Sequence, residues 1–192
     1  MWQQLRFEEA ERAVQRALEL NPSSAKVHRA YSGQLFLRGR DSESVRFARR
    51  AVELDPLSIR SRIHMAVTLF FTRNYDGAAE EAARLLELEP EQTEAHYFLG
   101  AALSMQGQLD EAIAALQRSA ELDPESPGLR IALAWVYARD GQREKALGLL
   151  ADVPEMGFNL KEIALVYGAS WASWTGLSTT WTEHTQSIQR TW

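Results

Sequence analysis

The residues best equipped for chemistry are four histidines, His28, His64, His96 and His184, and the acidic pairs Glu8-Glu9 and Glu80-Glu81. Imidazoles could ligate a metal or move a proton, and paired carboxylates could act as general acid and base. Their placement argues against both roles. No two histidines stand at the short separations of a metal-binding helix, so no metal and no cofactor is expected. The acidic pairs fall in amphipathic stretches, where a solvated face is their ordinary role. No phosphate-binding loop, paired-glycine nucleotide fingerprint, G-x-S-x-G elbow or H-E-x-x-H pair occurs. There is no cysteine, which excludes disulfides, thiolate catalysis and Cys-ligated zinc together. We expect no enzymatic activity.

Arginine is the other chemistry-bearing residue type. Arg38, Arg40, Arg46, Arg49, Arg50, Arg60 and Arg62 form the densest basic stretch, but Asp41, Glu43, Glu53 and Asp55 are interspersed with them. The chain carries a net charge of −5 over 192 residues. No overall field favours nucleic acid, and no nucleic-acid partner is expected. The N-terminus has no basic segment followed by an apolar core. No apolar run approaches the ~18 residues of a membrane span. A cytoplasmic location is the expectation.

The elements that position these residues follow from a repeat. The strings "LELNP", "VELDP", "LELEP" and "AELDP" end at Pro22, Pro56, Pro90 and Pro124, each 34 residues after the last. Proline lacks an N–H and disfavours α geometry in the residue before it, so a helix ends there. Between prolines the apolar residues recur at three- and four-residue spacing, the period of an amphipathic helix. Breaks near Gly39, Asn74, Gly107 and Gly141 split each unit into helix–turn–helix, with no strand signal.

This pattern resembles the tetratricopeptide repeat (TPR) family, whose units follow W-x2-L-G-x2-Y, then A-x3-F, then P. The best copy is "HYFLGAALSMQGQLDEAIAALQRSAELDP", with His96 in the tryptophan column, Leu99-Gly100, Leu103, Ala112, Leu116 and Pro124. His28, Arg62 and Arg130 stand in the tryptophan column of the other units. Ser32, Ala66, Gly100 and Ala134 are the small residues of the first helices, and Ala78, Ala112 and Ala146 those of the second. The resemblance implies an all-α, right-handed superhelical solenoid of antiparallel helix pairs. Its parts are a lone second helix at 6–21, repeats at about 25–58, 59–92, 93–126 and 127–156, and the first helix of a further repeat at 157–168.

Stacked helix pairs expose a concave face, and in the resembled family first helices line it. First-helix residues outside the packing columns are the candidate partner-binding groove. They are Arg29, Gly33 and Phe36; Ile63, Val67, Phe70 and Phe71; Tyr97, Ala101 and Met105; and Ile131, Trp135 and Arg139. Aromatic and arginine side chains most often carry interface energy. The family's carboxylate clamp of lysines and asparagines is not matched, since the groove set has no asparagine and only Lys26 nearby. The implied function is a non-catalytic scaffold binding a protein or peptide in the groove. The alternative is a regulatory or substrate-positioning TPR segment of a larger enzyme or signalling protein, such as a glycosyltransferase or kinase.

Both ends suggest a segment of a longer bacterial TPR protein. The first helix-forming stretch, with Phe7, Ala10 and Val14, is a second helix lacking its first. Residues 169–192 are atypical and hold four of the six tryptophans. Tryptophan's single codon forces glycine at the Trp171–Ala172 junction and aspartate at Trp174–Thr175 in the shifted frame. Those residues stand where a further repeat requires them, so out-of-frame translation is the expected origin of the tail.

Overall fold

The computed structural model describes residues 2–151. Among them are nine helices and no strand: α1 (Trp2–Leu20), α2 (Ala25–Leu37), α3 (Asp41–Leu54), α4 (Ile59–Phe71), α5 (Tyr75–Leu88), α6 (Thr93–Gln106), α7 (Leu109–Leu122), α8 (Pro127–Arg139) and α9 (Arg143–Ala151). The expected first helix at 157–168 and the tail at 169–192 lie outside the described residues.

Local signals at each boundary repeat with the prolines. Helices α1, α3, α5 and α7 stop at Leu20, Leu54, Leu88 and Leu122, two residues before Pro22, Pro56, Pro90 and Pro124. Ser24 and Ser58 then open α2 and α4 as N-caps, accepting from Val27 N at 3.4 Å and Ser61 N at 3.3 Å. At the other end of each first helix the chain passes through the left-handed region, at Gly39 (φ 68°), Arg73 (φ 63°), Gly107 (φ 84°) and Gly141 (φ 80°). There the N–H groups of Arg40, Asn74, Gln108 and Gln142 donate back to the carbonyls of Leu35, Leu69, Leu103 and Tyr137 at 2.8–3.0 Å. Each such bond satisfies a helix-end carbonyl and turns the chain sharply into the second helix.

The chain divides after Gln108 into two compact units. In the first, each helix from α1 to α6 packs on the next, and α2 also touches α4 while α4 touches α6. The first helices α2, α4 and α6 therefore form an uninterrupted row. Ala48, Met65, Leu69, Ala78 and Ala102 make a core cluster in this unit, with Val45, Val52, Phe70, Tyr75 and Ala79 packed against it. In the second unit α7 packs on α8 and α8 on α9. Ala112, Leu116, Leu133, Ala134, Val136, Tyr137 and Ala146 are buried there.

The small columns are closed as their chemistry requires. Ser32, Ala66, Gly100 and Ala134 on first helices, and Ala78, Ala112 and Ala146 on second helices, are all buried. In the 25–58 repeat, serines replace the alanines, and the pair compensates itself. The Ser44 hydroxyl donates to the Ser32 carbonyl at 2.9 Å and lies 3.2 Å from the Ser32 hydroxyl. Two hydroxyls at zero exposure are thus satisfied within the helix pair.

Candidate partner-binding face

The tryptophan column proves to be a set of helix-end donors. His28 Nε2 lies 2.9 Å from the Pro22 carbonyl, Arg62 Nε 2.8 Å from that of Pro56, and His96 Nε2 2.9 Å from that of Pro90. A carbonyl only accepts, so each imidazole presents Nε2–H. His28 Nδ1 is left buried without a partner, as is Arg130 Nε one repeat on from His96. These residues hold the junction between successive repeats and are not ligands.

The basic stretch is largely neutralised by named carboxylates. Glu11 of α1 accepts from Arg38, from Arg40 Nη1 at 3.1 Å and from the Tyr31 hydroxyl at 3.1 Å. Arg40 also grips Glu43 with two bonds of 2.7 Å, and Arg50 meets Glu53 at 2.9 Å. These cations hold the Glu11 carboxyl below its usual range, chiefly through the Arg38 hydrogen bond, and Glu43 likewise through Arg40. Arg62 pairs with the buried Glu81 at 2.7 Å, joining α4 to α5.

The first unit brings ten of the candidate groove residues onto the row of first helices. None of Arg29, Gly33, Phe36, Ile63, Val67, Phe70, Phe71, Tyr97, Ala101 or Met105 is buried, and Phe71 and Met105 are 46% and 42% exposed. Their rings form a chain across three helices. Phe36 of α2 lies 5.7 Å from Phe71 of α4, Phe71 5.4 Å from Phe70, Phe70 6.0 Å from Phe98 of α6, and Phe98 4.9 Å from Tyr97. These distances are those of favourable tilted and edge-to-face pairs. Phe70 also rests on the core cluster and on Tyr75 at 5.6 Å, so it serves packing and surface at once.

Two residues of this face were not in the sequence-derived set. Phe98 and His64 occupy one repeat position, 34 residues apart, which alternates with the small Ala30 and Ala132. A small–large alternation along a column is the signal that marks side chains reaching across to the neighbouring first helix. Phe98 reaches Phe70, and His64 reaches α2, placing Nε2 2.9 Å from the Ser32 hydroxyl. Ser44 has already given its proton to the Ser32 carbonyl. All the contacts are satisfied together when His64 Nε2–H donates to Ser32 and the Ser32 hydroxyl donates to Ser44. Burial, with the nearby positive charge of Arg29, lowers the His64 pKa to about 4.

The second unit places its three candidates differently. Ile131 is buried at 8% exposure and contributes to packing. Trp135 is half-buried, and the Arg139 guanidinium lies over its ring at 4.8 Å, a cation–π contact. The Trp135 indole N–H is buried without an acceptor. Among the described residues no group of acidic or histidine side chains could hold a metal, and no helix is long and apolar enough to cross a membrane.

Comparison with known proteins agrees with this geometry. Two family models, each described as tetratricopeptide repeat, match residues 2–59 and 65–127 and residues 103–166. None of the curated proteins compared gives a significant match. Among solved structures, a crystal structure of MamA superposes with a TM-score of 0.65 at 20% identity, covering 74% of this chain and 84% of that one. Residues 41-end of MamA from Desulfovibrio magneticus RS-1 give 0.68 at 21% identity, covering 77% and 83%. YrrB, described as a TPR protein with an unusual peptide-binding site, gives 0.61 at 26% identity, covering 75% and 76%.

Proposed function

The chain belongs to the tetratricopeptide repeat family, and from that premise we propose that it is a non-catalytic scaffold holding a peptide or partner segment against the first-helix row. The fold is generally an interaction scaffold. What supports a groove ligand here is the aromatic chain from Phe36 to Tyr97, which crosses α2, α4 and α6 while leaving Phe71 and Met105 open to solvent. Contiguous exposed apolar surface of this kind is characteristic of an interaction site. YrrB, with 26% identity, is itself a peptide-binding TPR protein. The pairing of Arg38, Arg40, Arg50 and Arg62 with carboxylates supports a protein partner over nucleic acid.

Capture from a random dodecamer peptide library displayed on phage tests this reading. Phe71→Glu combined with Met105→Glu puts two charges on exposed positions and leaves the core cluster intact. Selected peptides should bind the double variant at least about 10-fold more weakly than the unaltered chain, as expected for loss of interface anchors. Undiminished binding, with the helical circular dichroism unchanged, overturns the groove.

A further inference from the structure

We infer that the N-terminal halves of α2 and α4 form a carboxylate subsite, so that the partner is a peptide carrying an acidic side chain next to apolar ones. This rests on the proposed function and names the chemistry of its ligand.

The first observation is a segregation of charge. The chain is acidic, with net charge −5, yet α2 and α4 contain Lys26, Arg29, Arg60 and Arg62 and no Asp or Glu. The carboxylates sit on the second helices, Asp41, Glu43 and Glu53 on α3 and Asp76, Glu80, Glu81 and Glu87 on α5. Arg62 is paired with Glu81. Among the described residues, Lys26, Arg29 and Arg60 have no hydrogen-bonded or ion-paired partner, in contrast to the arginines gripped by Glu11, Glu43 and Glu53. Lys26 and Arg60 hold equivalent positions one repeat apart on helices that touch, and Arg29 lies one turn along α2 from Lys26. Arg29 is half-buried, and its charge acts on the neighbouring His64. A partly desolvated guanidinium without a counter-ion gains from an incoming carboxylate, which its planar fork can bind through two bonds.

The second observation is Gly33, on the same face, four residues after Arg29 and three before Phe36. Glycine weakens a helix interior relative to alanine. Packing does not demand it, because an added Cβ would meet only His64 Cε1 at 3.7 Å, an ordinary contact. Its effect is to leave bare backbone between the Arg29 cation and the Phe36–Phe71 pair. Arg29 and Phe36 are separated by ~10 Å along the helix, the span of about three residues of extended chain. A peptide crossing Gly33 would therefore place its acidic and apolar side chains about three positions apart. Nucleic acid fits less well, because the rings pack edge-on to one another and offer few open faces for base stacking.

The test uses the full chain and the peptides selected from the dodecamer library, resynthesised with a fluorescent label and read by anisotropy. We expect Asp or Glu about three positions from a Leu, Phe or Ile. Replacing that acid by its amide, and Arg29→Gln in the protein, should each weaken binding about 10-fold or more. Gly33→Gln should also weaken it, whereas Gly33→Ala should not. The amide peptide on the unaltered protein keeps the test valid should Arg29→Gln misfold. Selected peptides without acidic residues, bound equally by the Arg29→Gln variant but lost on Phe71→Glu, overturn the carboxylate subsite and leave the groove standing. Peptides indifferent to Phe71→Glu overturn the groove itself. A thymidine oligonucleotide displacing the acidic peptide overturns a peptide partner, and failure to select any peptide counts against both readings.

Discussion

At the level of single residues, histidine acts here through hydrogen-bond geometry and not through titration or ligation. His28 and His96 cap repeat junctions by donating to proline carbonyls, whereas His64 spans two first helices. His64 has a pH signature of its own. Its pKa is lowered to about 4 by burial first and by Arg29 second. The folded chain therefore holds the ring neutral, and the unfolded chain takes up the proton first as pH falls below about 6.5. Stability is fully present above that value and is lost progressively as pH falls towards about 4. Between pH 7 and pH 5 the loss should be about 1 kcal/mol, a value discounted because the ring is not wholly desolvated. Urea denaturation at the two pH values measures it, and His64→Gln should remove that part of the pH dependence. An unchanged slope in the variant would show that the ring is not held neutral. None of this was legible in the sequence, where His64 stood outside both the packing columns and the candidate groove.

At the level of elements, the turn after each first helix repeats with one departure. Three of the four left-handed positions are glycine, and the fourth is Arg73 at φ 63°. A side chain is strained in that region, and glycine is not. Arg73→Gly should therefore stabilise the chain by about 0.5–1 kcal/mol, and thermal melting followed by circular dichroism would show it as a raised midpoint. A lowered midpoint would mean that the Arg73 side chain contributes more than the strain costs. The sequence already marked this turn through Asn74, whose side chain accepts from Gly77 N at 3.0 Å as the N-cap of α5. The helices themselves were equally legible, because boundary prolines, serine caps and turn glycines are local signals that need no tertiary context. The reach of Phe98 and His64 across to the next first helix was not, because it depends on which small residue stands opposite.

At the level of the whole chain, every described helix packs on its neighbours in sequence, with next-but-one contacts confined to the first-helix row. Such local topology carries little loop-closure entropy, so refolding should be complete within milliseconds. Stopped-flow circular dichroism tests this, and a dominant phase of seconds would contradict it. The 34-residue spacing of the prolines by itself determined the family, the helix–turn–helix units and the buried small columns. It could do so because a repeat states the same local rule several times over. Only the tertiary structure decided which exposed residues act together. It joined Phe36, Phe71, Phe70 and Phe98 into one chain, buried Ile131, drew Arg62 onto Glu81 and left Arg29 without a counter-ion. The physical reason is that periodicity assigns a residue to a face of its own helix. Its partners, and the charge it must live beside, are set by the helices stacked against that face.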